Sequence, residues 1–236
     1  MKKILGLLIL ISNITLAQET ISTDRPGATY SPLVIPQKAL QFETGTTIDF
    51  DSESFTAPEY TLRYGVLKFL ELRVDNSFYK ASSDFNNGDL FLGIKAQLFR
   101  KDKLKMAFLS TVGLSENDRS YLFFSEKLLF GFVINDKSEL DANIGVESLT
   151  KDGDVSYIYT ISYGRSITDK FGFYIENYGN TSKNKVEDKT DFFSFANVGV
   201  AYLLKDKIQL DAKVGVDVNT FENYFIGAGI SFRAFN

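Results

Sequence analysis

The chain of 236 residues contains no cysteine, no histidine and no tryptophan, and only four prolines. Without cysteine there is neither disulfide nor thiolate chemistry. Without histidine no Ser-His-Asp triad can be assembled, and with both residues missing a transition-metal site lacks its usual ligands. No activated nucleophile or base can be named, so the chain is expected to be no enzyme and to need no cofactor. Nor is there a surplus of positive charge: the formal charge is −4. That balance excludes nucleic acid as a partner and argues against adhesion to anionic lipid. Also lacking is any apolar run of the roughly 20 residues that a membrane-spanning helix requires.

One shorter apolar run is present, at the start. Lys2 and Lys3 precede the apolar residues 4–11, and Thr15-Leu16-Ala17 supplies small residues at a cleavage position. Residues 1–17 therefore read as a secretory signal peptide, cleaved near Ala17 to leave Gln18 as the new N-terminus. No lipobox cysteine accompanies it. Losing Lys2 and Lys3 takes the formal charge from −4 to −6. Residues 18–37 follow without periodicity and hold Thr23-Asp24-Arg25-Pro26-Gly27, Ser31-Pro32 and Pro36. Proline breaks sheet ladders, so this is a pre-strand arm on the periplasmic side. It either enters the lumen as a plug, with Asp24, Arg25 and Pro26 at its centre, or packs on the rim.

From residue 38 to the end the chain alternates with period two, the signature of extended strands with one apolar and one polar face. Leu40, Phe42, Ile48 and Phe50 oppose Gln41, Glu43, Gly45 and Asp49; Leu62 and Tyr64 oppose Thr61 and Arg63; Leu70, Leu72 and Val74 oppose Glu71, Arg73 and Asp75. The pattern is cleanest where Leu210, Ala212, Val214 and Val216 oppose Gln209, Asp211, Lys213 and Asp217, and it blurs only around residues 125–127. About twelve such segments occur, with ten to fourteen as the range. Four similar tight turns, Lys101-Asp102-Lys103, Asn135-Asp136-Lys137, Thr168-Asp169-Lys170 and Lys205-Asp206-Lys207, recur about every 34 residues, roughly two strands plus a loop and a turn. Longer polar links fall between them, at residues 51–58, 80–88, 115–119, 149–154, 179–190 and 219–222.

Short turns at one end and long loops at the other are the layout of an outer-membrane barrel. In hydrocarbon every backbone amide must be paired within the protein, which only a closed sheet achieves. Residues 38–236 are thus expected to form an all-β, up-and-down antiparallel transmembrane barrel of the cell outer membrane. Tyr60, Tyr121, Tyr163, Tyr202 and Tyr224 are candidates for its interfacial girdles. Outer-membrane lipid and the barrel-assembly machinery are the implied partners. The polar parity then faces the lumen. It brings Glu43, Asp49, Glu59, Glu71, Asp75, Glu139, Asp141, Glu147, Glu176, Asp211 and Asp217 together with Arg63, Arg73, Lys95, Lys213 and Arg233. Twelve strands lie between small filled barrels and wide porins, so the interior is either a narrow channel for cations or neutral solutes, or a packed set of ion pairs. The occluded form is favoured, with Arg63 and Arg73 held by Glu43, Glu71 and Asp75. Glu139 and Asp141, two apart on one face, have the spacing of an acid–base pair, but with no nucleophile to serve they read as lumen carboxylates. Asp152-Gly153-Asp154 reads as a hairpin turn, since the other ligands of a calcium loop are missing.

Several short motifs recur together: Thr23-Asp24-Arg25-Pro26-Gly27, Gln41-x-Glu43-x-Gly45, Arg63-Tyr64-Gly65, Glu71-Leu72-Arg73 and the ending over residues 229–233. In this order and spacing they resemble the outer-membrane family named for the meta-pathway of phenol degradation, in a Bacteroidota-type version. The resemblance is close over residues 23–76 and at the end of the chain. It implies a barrel that transports an unidentified small solute. Two other functions compete with it: a structural or binding barrel whose outer loops contact a partner, and a soluble periplasmic barrel with an apolar interior.

Overall fold

The computed structural model describes residues 20–81, 84–114, 122–150, 155–184 and 189–235. The signal peptide over residues 1–17, the loop residues 115–119, Tyr121 and the Asp152-Gly153-Asp154 turn lie outside the described residues. Among those described there is no helix. Thirteen strands follow in order: β1 Leu40–Asp49, β2 Ser54–Leu67, β3 Leu70–Ala81, β4 Asp84–Asn87, β5 Leu90–Lys101, β6 Leu104–Leu114, β7 Leu122–Asn135, β8 Ser138–Leu149, β9 Val155–Ser166, β10 Phe171–Asn184, β11 Lys189–Lys205, β12 Ile208–Asp217 and β13 Tyr224–Ala234. Each of the twelve long strands pairs antiparallel with both neighbours. The wall closes where β1 meets β13, from Leu40 opposite Ala234 to Asp49 opposite Phe225. The four-residue β4 pairs only with the outer end of β3 and continues the track of β5 beyond a break at Gly88 and Asp89. The wall is therefore a closed antiparallel barrel of twelve strands.

Closure turns the apolar parity outward. Leu210 is 40% exposed and Val214 is 51% exposed, while Gln209 and Asp211 on either side of Leu210 are buried inside. Because the chain has no native cysteine, a spin label on Leu210→Cys or Val214→Cys in reconstituted protein reports one site only. Each label is expected to show hydrocarbon polarity and broadening by oxygen; a water-like spectrum at both would overturn the lipid-facing assignment. Tyr64, Tyr163 and Tyr202 lie near the short-turn rim and Tyr224 near the long-loop rim, all on the outward parity. Tyr60 sits between these rims, stacked on Phe42 with ring centroids 6.1 Å apart.

Two expectations from the sequence change in the structure. The links read as loops at residues 51–58, 80–88 and 179–190 are largely strand. β2 begins at Ser54, with Pro58 at a register shift where its missing N–H breaks no ladder. β10 and β11 continue pairing to Asn184 opposite Lys189. Hairpins that rise past the hydrocarbon are wet on both faces, so their alternation disappears although the backbone stays extended. The second change lies at residues 125–127. Ala107, Leu109 and Leu129 face inward as a small apolar cluster. Ser110 and Glu126 take the outward parity opposite each other, and the serine hydroxyl donates to the carboxylate at 2.8 Å.

Candidate functional site: an arm seated in the lumen

The arm enters the barrel from the short-turn end and returns to it. Ile21 N donates to Asp206 O at 2.8 Å on that rim, and Lys38 N donates to Gly65 O at 2.7 Å where β1 begins. Between these points the prolines leave the arm irregular, so its buried amides need partners other than a sheet ladder. Wall side chains provide them. Glu43 Oε2 accepts from Asp24 N at 3.0 Å and Arg25 N at 3.1 Å. Glu176 accepts from Ala28 N at 2.8 Å and Thr29 N at 2.7 Å. Asn143 pairs with Tyr30 as a strand would, accepting from its N–H at 2.7 Å and donating to its carbonyl at 3.0 Å. Glu71 Oε2 accepts from Ile35 N at 3.0 Å.

Asp24 is the electrostatic centre. Lys95 Nζ lies 2.9 Å from its carboxylate, Arg73 Nη1 2.8 Å and Arg63 Nη1 3.7 Å. Burial alone would raise the pKa of this carboxyl group; the cations of Arg63, Lys95 and Arg73 outweigh that and hold it well below the usual carboxylate range. Arg63 itself is fully buried and forks across two acids, donating to both oxygens of Glu71 at 2.8 and 2.9 Å and to Glu43 at 2.7 Å. Arg73 donates to both oxygens of Asp75, at 2.8 and 3.0 Å. Bidentate pairing of this kind is geometrically specific as well as strong.

Arg25 turns from this cluster toward the adjoining wall of β2, β1, β13 and β12, where Glu59 and Asp211 lie 3.4 and 3.5 Å away. Gly45 of β1 and Gly229 of β13 stand opposite each other in register. A Cβ on either would run into the Arg25 guanidinium, so this glycine pair forms the floor on which the side chain lies. Tyr30 packs on the inward apolar cluster of β6 and β7. Its ring also takes the Arg73 guanidinium at 4.7 Å and Lys127 at 5.1 Å, a cation–π arrangement.

The remaining residues named from the sequence occupy four places. Glu59, Glu147 and Lys213, with Asp75, line a vestibule of about 660 Å³ open toward the long loops. Glu139 and Asp141 line a recess of about 440 Å³ on the short-turn side. Asp49 and Asp217 are held at the long-loop rim, where they accept from the amides of Ser52 at 2.9 Å and Asn219 at 2.7 Å, and they do not join the cluster. Arg233 is buried near the opposite rim. Reading charge alone missed Asn143, Gln41 and Tyr30. Gln41 donates to Ser22 O at 2.8 Å and to Glu43 at 2.7 Å. Its place in the Gln41-x-Glu43-x-Gly45 motif was the available signal, and Asn143 shares the inward parity of Asp141.

A closed wall, apolar outside and charged within, makes this protein an outer-membrane β-barrel whose lumen is occupied by its own N-terminal arm. The sequence model of the family described as "Putative MetA-pathway of phenol degradation" matches residues 23–234, and the chain belongs to that family. No curated protein sequence matches the chain. Among solved structures it is similar to the NanC porin, with a TM-score of 0.67 at 9% identity over 81% of this chain and 98% of that one. The KdgM porin in complex with disordered oligogalacturonate gives 0.62 at 10%, covering 84% and 99%. An outer membrane channel from Pseudomonas putida F1 gives 0.61 at 12%, covering 89% and 99%. At these identities the likeness is one of fold.

Proposed function

We propose that the protein is a gated outer-membrane channel for small polar solutes, closed at rest by residues 20–37 acting as a plug. One observation carries this reading: the arm crosses a lumen that has a cavity on either side of it. A merely structural barrel of this size has no need of hollows facing both compartments. The relatives by fold are porins and a channel by name, which agrees with transport without identifying a solute. The Bacteroidota-type affinity and the cleaved signal peptide belong to the same proposal.

Planar-bilayer recording of the reconstituted mature chain tests it. The wild type is expected to show rare, brief openings. Arg73→Ala removes the 2.8 Å contact to Asp24 and the cation on Tyr30, and is expected to raise the open fraction on the order of tenfold, the loss of one charge-assisted contact. Steady wild-type current would refute occlusion. Silence in both proteins would speak against a gate, and retained adhesion to a surface in that case would favour the loop-binding alternative.

A further inference from the structure

Vestibule and recess come within one chain thickness of each other. A hollow of about 170 Å³ lies between them, and residues 24–27 of the arm line both it and the vestibule. Arg25 and Pro26 line the recess as well. Elsewhere the arm rests on long side chains, among them Arg63, Arg73 and Lys95. Facing Pro26 and Gly27, β9 contributes only the small residues Ser162 and Gly164 to the wall. At Gly164 a Cβ would find only Glu139 O, 4.0 Å away, so this glycine opens onto free space. Across this gap Glu139 is engaged by Lys105 at 2.7 Å, and Glu176 by the arm amides. Asp141 lies beside Glu139 and hydrogen-bonds with it, and its buried Oδ1 receives no other donor from the protein.

We infer that solutes cross the barrel along this side, between Pro26–Gly27 and the wall of Asp141, Gly164 and Tyr174. Glu176 is the latch that keeps the gap shut. This rests on the channel reading above and specifies where the channel opens. The latch is local. Releasing the Ala28 and Thr29 amides frees the crest of the arm, while Asp24 stays among its three cations and Ile35 stays on Glu71. Gly27 sits so close to Glu176 that a Cβ there would stand 2.8 Å from its carboxylate, so any movement of that side chain moves the crest.

The absence of native cysteine makes the test clean. In planar bilayers Glu176→Gln, whose carboxamide has one acceptor in place of two, is expected to raise conductance about tenfold. Glu176→Asp, which keeps the charge but withdraws it by one methylene, is expected to conduct as well and stands in if the glutamine variant fails to fold. In the double variant Glu176→Gln with Gly164→Cys, a cationic methanethiosulfonate reagent added from the short-turn side is expected to abolish the current, and to leave Glu176→Gln alone unaffected. Full modification of the introduced thiol with undiminished current would overturn the route while leaving a channel in place. Silence of both Glu176 variants and of a chain lacking residues 20–37 would remove the channel reading itself.

Discussion

Replacing Asp24 by alanine is expected to convert the protein from a nearly closed barrel into one that conducts steadily in planar bilayers. In the docked state this carboxylate sits among Lys95, Arg73 and Arg63 at 2.9, 2.8 and 3.7 Å, and its Oδ1 also accepts from Ser31 N at 3.1 Å. Alanine leaves the three cations packed under the arm with one carboxylate fewer. Breaking a buried charge cluster by removing one partner costs about 3–5 kcal/mol. Undocking escapes that cost, because water then enters and solvates the cations. A shift of about 3 kcal/mol changes the docked-to-undocked ratio more than a hundredfold. Asp24→Glu, which restores the charge with one more methylene to place, is expected to recover only part of the closure. If Asp24→Ala remains as silent as the wild type while folding normally, the arm is a fixed structural element and the plug interpretation fails.

A second large effect is expected on stability. Arg63 is in contact with both Glu43 and Glu71, and all three side chains are completely buried. Arg63→Ala strands two carboxylates inside the wall and withdraws a donor from Ser22 O at 3.2 Å. The expected loss is again about 3–5 kcal/mol, read as a lower temperature at which the compact band on unboiled gels converts to the unfolded one. Arg63→Lys should fall between: an ammonium group is a point charge and cannot fork across two acids. Equal conversion temperatures for wild type and Arg63→Ala would show that the cluster contributes nothing to holding the barrel together. Conductance separates the two predictions, since Asp24→Ala acts mainly on the arm and Arg63→Ala on wall and arm together.

The family motifs acquire a physical meaning from these contacts. Asp24, Glu43, Arg63, Glu71 and Arg73 are spread over fifty residues of sequence, yet they form one ion network in which each acid has a cation within hydrogen-bonding distance. Gly45 and Gly229 are nearly two hundred residues apart and together form the floor under Arg25. Gly65 accommodates the returning arm, since a Cβ there would collide with Pro36 O. What looked like separate short signatures is the seat of a single segment.

By itself the sequence determined the barrel. Period-two alternation and a rhythm of tight turns are local properties, and the need to pair every amide in hydrocarbon turns them into a closed wall with a defined inside. The inward parity of Glu43, Arg63, Asp141 and Glu176 was legible for the same reason. Which of these residues touch was not, because strand neighbours say nothing about a segment that crosses the lumen without periodicity. Only the tertiary structure decided that the arm lies within the wall, that Glu176 and Asn143 hold its amides, and that Asp49 and Asp217 serve the rim. Aperiodic chain gains its partners from three-dimensional closure, so its contacts can be read only once the barrel around it is built.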